Sequence, residues 1–175
     1  MHIVLDLDNT LICTLSEMDE NNPNIHYLGI IEGKVDIICL RPHAFEFLDF
    51  CKKNFESIMM CSYSSRYRVS RCIQATGIDR YLTEYFGGDD IDKRNGIGPR
   101  LDNFILIDDY DWYKDLIKIK IGFFGFSGNS SCKEEVAKYH IQASRFLGDG
   151  EDTQLLDMIK VLKGRLKQGQ KKINA

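Results

Sequence analysis

Three short apolar runs, each ending in polar or acidic residues, punctuate the chain. They are Ile3-Val4-Leu5 before Asp6-Leu7-Asp8, Ile58-Met59-Met60-Cys61 before Ser62, and Phe104-Ile105-Leu106-Ile107 before Asp108-Asp109. Runs of this length that do not alternate predict strands buried on both faces, as in parallel sheets covered by helices. Between them the apolar spacing changes to that of helices. Pro42 opens a stretch carrying Phe45, Leu48, Cys51 and Phe55, and proline suits a first turn because it has no N–H to leave unpaired. Val69, Cys72, Ile73 and Thr76 follow i, i+3, i+4, i+7 spacing and stop at Gly77. A last helix starts near Asp152, a fair N-cap, and carries Leu155, Leu156, Ile159, Leu162 and Leu166. Residues 27–31 and 35–39 are β-rich runs around a glycine-containing loop, which predicts a hairpin. Residues 118–124 predict one additional strand. Strands alternating with helices place the chain in the α/β class, with a central, mostly parallel sheet flanked by helices.

Composition changes this picture little. A length of 175 residues supports one domain with a proper core, over positions 1–166, followed by a basic polar tail at 167–175. The net charge of −3 and the ordinary apolar content indicate neither nucleic acid nor a membrane as partner. No apolar stretch approaches the ~20 residues of a membrane span, and Met1 and His2 leave no room for a leader before the first strand. The six cysteines form no C-x-x-C pair and several sit inside apolar runs. They read as buried small hydrophobes in a reducing compartment, cytoplasmic or nuclear. A monomer is the expected state, and the tail reads as a solvated end.

The strand ends carry the chemistry. In open α/β sheets ligands bind beyond the carboxyl ends of the strands, so Asp6, Asp8, Asp108, Asp109 and the Ser62 hydroxyl fall where a site belongs. One Asp-x-Asp is as readily a surface turn or a helix cap; three strand ends with polar groups in order are much harder to dismiss. Two carboxylates ~4 Å apart repel by roughly 4 kcal/mol at an effective dielectric near 20. Such a cluster needs a cation, a shared proton or water. Mg2+, a hard divalent cation with oxygen ligands, is the most economical way to hold it.

Asp6-Leu7-Asp8-Asn9-Thr10-Leu11 resembles the DxDxT motif of the haloacid dehalogenase (HAD) superfamily. Leu40-Arg41-Pro42-His43 resembles the arginine-proline helix start of its FCP/SCP-like, NLI-interacting-factor-like branch, which acts on the carboxy-terminal domain of RNA polymerase II. Cys61-Ser62-Tyr63-Ser64 stands where that branch has Phe-Thr-Ala-Ser, and Ile105-Leu106-Ile107-Asp108-Asp109 matches its fourth motif. Ala143-Ser144-Arg145-Phe146 and Asp152-Thr153-Gln154-Leu155-Leu156 echo its last strand and helix, so the likeness runs from Ile3 to about Leu166.

The resemblance implies a Rossmann-like HAD fold with a small β-hairpin insertion after the first strand and no large cap domain. It implies an Mg2+-dependent phosphatase working through an aspartyl phosphate, with a phosphoserine or phosphothreonine protein segment as substrate. A phosphotyrosine, a small phosphate or a nucleic-acid end is the alternative substrate, and a catalytically silent binding scaffold the alternative class. Asp6 would be the nucleophile and Asp8 the acid and base. Mg2+ would be held by Asp6, the backbone carbonyl of Asp8, and Asp108 or Asp109. Ser62 and Lys93 would face the phosphoryl group, with Arg94 and Arg100 as neighbouring cations able to replace Lys93. Thr10 and Tyr63 complete the expected substrate-binding set, Thr10 chiefly by stabilising its loop. His43 is expected to be structural, and Tyr67 and Trp112 are candidate rim contacts.

Overall fold

A computed structural model describes residues 1–31, 33–93, 98–111, 115–125 and 133–173, with the side chains of 92–93, 133 and 169–173 outside that description. In chain order the elements are β1 (His2–Leu5), β2 (Ile12–Leu15), β3 (Ile25–Ile31), β4 (Lys34–Leu40), α1 (Ala44–Asn54), β5 (Ile58–Cys61), α2 (Arg66–Thr76), β6 (Glu84–Phe86), α3 (Gly88–Lys93), β7 (Phe104–Asp108), α4 (Asp115–Phe123), α5 (Lys133–Tyr139), β8 (His140–Gln142) and α6 (Gln154–Ile173). The three apolar runs of the sequence form the middle of a five-stranded sheet of order β6-β5-β1-β7-β8. All its pairings are parallel. Leu5 is in register with both Met60 and Ile107, so β1, β5 and β7 end side by side.

Alternation along β1 explains why that strand is apolar from Ile3 to Leu5. Ile3 and Leu5 join a core built with α1, α2 and α6, through Phe47, Leu48, Val69, Cys72, Leu155 and Leu162. Val4 points the other way, into a core with Ile91 of α3, Ile117 and Ile121 of α4, and Val136 of α5. A strand covered on both faces has no solvent side on which to place a polar residue until it ends.

The expected hairpin is present as β3 and β4, and it gains a third strand. β2 pairs antiparallel with β4, giving a separate sheet of order β2-β4-β3 inserted after β1. No large cap covers the carboxyl edge of the parallel sheet among the described residues.

Four expectations are corrected. Residues 118–124, expected as a strand, lie in helix α4 apart from the last of them. Ile117, Lys120, Ile121 and Phe124 are buried at i, i+3, i+4, i+7 spacing, while Ile119, inside the alternating pattern, is exposed. In α1 it is Phe47, not Phe45, that fills the core; Phe45 lies at the surface under the Arg80 guanidinium. The strand expected at 143–146 ends at Gln142. Helix α6 runs on to Ile173, past Leu166 where its apolar stripe stops.

Candidate active site

β1 and β7 deliver the acidic residues. The Asp6 N–H donates to the Ile107 carbonyl at 2.8 Å, which carries the sheet pairing one residue beyond the strand. Carboxylate oxygens of Asp6, Asp108 and Asp109 then all lie within 4.8 Å of one another. After Asp6 the chain turns sharply: Asn9 takes a left-handed backbone (φ 60), which asparagine tolerates better than most residues, and the Thr10, Leu11 and Ile12 N–H groups return to the Leu7 carbonyl. That turn brings the wholly buried Thr10 back under Asp6, and its hydroxyl donates to Asp6 Oδ2 at 2.9 Å.

Lys120 reaches this cluster from α4, which packs on the sheet face lined by Val4 and Leu106. Its ammonium donates to Asp6 Oδ1 at 2.7 Å and Asp108 Oδ2 at 2.5 Å. The ring of Tyr63 lies 5.2 Å from Lys120 Nζ, and the Tyr63 hydroxyl donates to the Leu116 carbonyl, tying the loop after β5 to α4. Burial alone would lower the Lys120 pKa; the charges of Asp6 and Asp108 reverse this and hold it above the usual lysine range. Burial pushes the Asp6 carboxyl up to about 7 against the pull of Lys120. Burial and then the neighbouring Asp108 raise Asp109.

Three carboxylates crowd round one ammonium, and the raised Asp6 and Asp109 carboxyls reflect that crowding as well as burial. Asp109 Oδ1 is moreover buried without a hydrogen-bond partner. A buried orphan oxygen beside two other carboxylates is the donor set that a hard cation takes. The residues present therefore fit Mg2+.

The Asp8 side chain faces elsewhere. Its Oδ2 accepts from Ser62 Oγ at 2.9 Å and Ser64 Oγ at 2.8 Å, and its Oδ1 pairs with Arg68 Nη1 at 2.5 Å. What Asp8 can offer a metal is thus its backbone carbonyl. Asp6, Asp8, Ser62, Tyr63 and Lys120 line a cavity of about 300 Å³. It adjoins a groove of about 420 Å³ that shares Asp8 and Ser64 and is walled by Ile31, Lys34, Val35 and Asp36 of the inserted sheet.

The structure thus brings Asp6, Asp8, Ser62, Tyr63, Asp108 and Asp109 together, while Thr10 supports Asp6 from beneath. Lys93 ends α3 and its side chain lies outside the described residues, as do Arg94 and Trp112. Arg100 and Tyr67 are exposed, and His43 sits at the surface before α1, with Nδ1 3.5 Å from Glu46 Oε2. Two residues escaped the sequence reading. Lys120 had a legible signal, since it falls on the apolar stripe of a helical reading of residues 117–124. Arg68 had none, being one of several cations on an amphipathic helix.

Comparison with known proteins follows the same lines. A family model described as NLI interacting factor-like phosphatase matches residues 1–116. No curated protein matches the chain. Among solved structures, a variant of the fission yeast RNA polymerase II CTD phosphatase Fcp1 bound to beryllium fluoride is 14% identical, with a TM-score of 0.52 over 95% of this chain and 50% of that one. A structure of Fcp1 described as an essential RNA polymerase II CTD phosphatase is 13% identical, with a TM-score of 0.56 over 94% of this chain and 62% of that one. The chain spans less than two thirds of either, and at these identities the likeness is one of fold.

Proposed function

Because the chain belongs to the NLI interacting factor-like phosphatases, an FCP/SCP-like family of HAD fold, we propose that it is an Mg2+-dependent phosphatase acting on phosphoserine or phosphothreonine in a protein segment. The observation that carries this reading is the buried Asp6, fixed at the end of β1 by Lys120 and Thr10 and lining an open cavity with Asp8 beside it.

In this reading Asp6 attacks phosphorus and the ester P–O bond breaks, leaving the phosphoryl group on the Asp6 carboxylate. Asp8 gives its proton to the departing alkoxide. Asp8 then takes a proton from the water that attacks the aspartyl phosphate; the bond to Asp6 breaks, phosphate leaves and both carboxyl groups are restored. Thr10 holds Asp6 Oδ2 and so fixes the orientation of the nucleophile. Lys120, in place of the expected Lys93, balances the negative charge that gathers when a phosphate meets Asp6 and Asp108. Asp6, Asp108, Asp109 and the Asp8 backbone carbonyl would hold Mg2+, which when bound supplies positive charge to the phosphoryl oxygens. The lack of a large cap among the described residues, and the groove along the inserted sheet, support a side chain on a polypeptide as substrate.

Hydrolysis of p-nitrophenyl phosphate with Mg2+, with EDTA, and with Asp6→Asn tests the chemistry. Turnover that needs both the metal and Asp6 is the expected result; turnover by a folded Asp6→Asn protein removes the aspartyl phosphate. A higher kcat/KM on phosphoserine peptides than on sugar phosphates is expected, and the reverse order removes the protein substrate.

A further inference from the structure

Arg68 makes five side-chain hydrogen bonds beside the site. Its Nη1 bonds Asp8 Oδ1 at 2.5 Å and Ser64 Oγ at 3.1 Å; Nε and Nη2 fork onto Asp36 at 2.7 and 3.3 Å, and Nη2 also reaches Thr14 Oγ1 at 3.1 Å. One planar group on α2 thereby joins the loop after β1 to two strands of the inserted sheet. Asp36 is buried (6% exposed), and Arg68 is its ion-pair partner.

The grip on Asp8 matters because an aspartate has little orientation of its own. Its terminal torsion is broad, so which oxygen faces a neighbouring cavity is set by its partners. Here Oδ2 is held by the Ser62 and Ser64 hydroxyls and Oδ1 by a fork whose other arm is anchored on Asp36. The plane of a guanidinium with all its directions engaged is itself fixed. We propose that Arg68, anchored by Asp36, is a positioning residue for Asp8, so that the inserted sheet sets the orientation in which Asp8 hands a proton to the departing alcohol. This rests on the role given to Asp8 above.

The test compares two leaving groups. Nitrophenolate departs readily without a proton, whereas the alkoxide of an alkyl phosphate such as β-glycerophosphate needs one. Loss of the alcohol is the first irreversible step, so kcat/KM reports it whichever step limits kcat. The ratio of the two kcat/KM values in one preparation is also independent of how much of the variant is folded. Arg68→Met and Asp36→Asn should lower kcat/KM for β-glycerophosphate by about tenfold more than for p-nitrophenyl phosphate, and Arg68→Lys, which keeps the charge but not the fork, should recover part of the difference. Equal losses on the two substrates in Arg68→Met overturn the proposal, since a purely structural brace would produce that. A ratio unmoved in Asp36→Asn overturns the anchoring by the inserted sheet. Asp8→Asn is the control that separates the premises: if it too leaves the ratio unchanged, Asp8 is not the acid, and the proposed mechanism falls together with this inference.

Discussion

Lys120 combines two properties that seldom coincide: it is almost fully buried (1% exposed) and it lies between two carboxylates. Removing one partner of a buried ionic cluster strands the others, at about 3–5 kcal/mol. Lys120→Met should therefore lower stability by an amount of that order and turnover by about tenfold or more, whereas Lys93→Ala should leave both nearly unchanged. Thermal melts and p-nitrophenyl phosphate kinetics on the two variants check this, and the opposite ranking returns the phosphate-facing cation to Lys93. A second buried cation has a different task. Arg41 bonds the Thr10 and Ser144 carbonyls and pairs with Asp152 at 2.7 Å, clamping the loop after β1 to the start of α6. Burial would raise the Asp152 pKa, but the Arg41 hydrogen bonds outweigh it and the value falls below 3.8. A depressed carboxylate pKa contributes stability that is complete above the unfolded value and is lost as pH falls through the folded one. The Tm advantage of the native protein over Asp152→Asn should thus be constant near neutral pH and shrink below pH 3.8. The carboxylates at the strand ends were legible because each follows directly on an apolar run. Arg68 was not, because nothing local ties it to Asp8, and Lys120 showed only as a cation on a helical stripe that the alternating pattern masked.

Elements explain where the pattern misled. In Ile117-Lys118-Ile119-Lys120-Ile121 a period of two and a helical stripe coincide over five residues, and only packing decides between them. Helix α4 buries Ile117, Lys120 and Ile121 against the sheet, and a strand there would have put both lysines on one face and the isoleucines on the other. The short strands β2, β6 and β8, of three or four residues each, carry too little pattern to be read alone; their neighbours specify them. β6 has a direct bearing on the site. Its end runs into Gly87 and Gly88, which lie against the loop after β5: the Gly88 N–H donates to the Ser64 carbonyl at 2.8 Å, and a Cβ on Gly88 would come 2.5 Å from the Tyr63 carbonyl oxygen. Gly88→Ala should push that loop, and with it Ser62 and Ser64, away from Asp8. The expected result is a loss of about 1–3 kcal/mol in denaturant unfolding together with reduced turnover, and unchanged kinetics would show that the loop yields without moving the hydroxyls.

Across the whole molecule, both helical layers and the inserted sheet converge on the carboxyl edge of β1, β5 and β7. Under the proposed function, a metal held by Asp6, Asp108 and Asp109 would be coupled to folding. A ligand that binds only the folded state stabilises it by about 2.7 kcal/mol at a hundred times its dissociation constant. Mg2+ should accordingly raise the Tm, EDTA should reverse the rise, and Asp109→Asn, which removes the orphaned oxygen, should weaken the response. An Asp109→Asn protein with the full Mg2+ shift would move the metal away from Asp109. By itself the sequence determined the α/β class, the three buried apolar strands and the acidic residues at their ends. A strand buried on both faces must be apolar until its end, and the ends of such strands are where α/β sheets place their ligands. Only the tertiary structure decided which cation meets Asp6 and which way Asp8 faces. Those pairings span 114 residues to Lys120 and 60 to Arg68, and electrostatic interaction depends on distance through space, which no local pattern along the chain records.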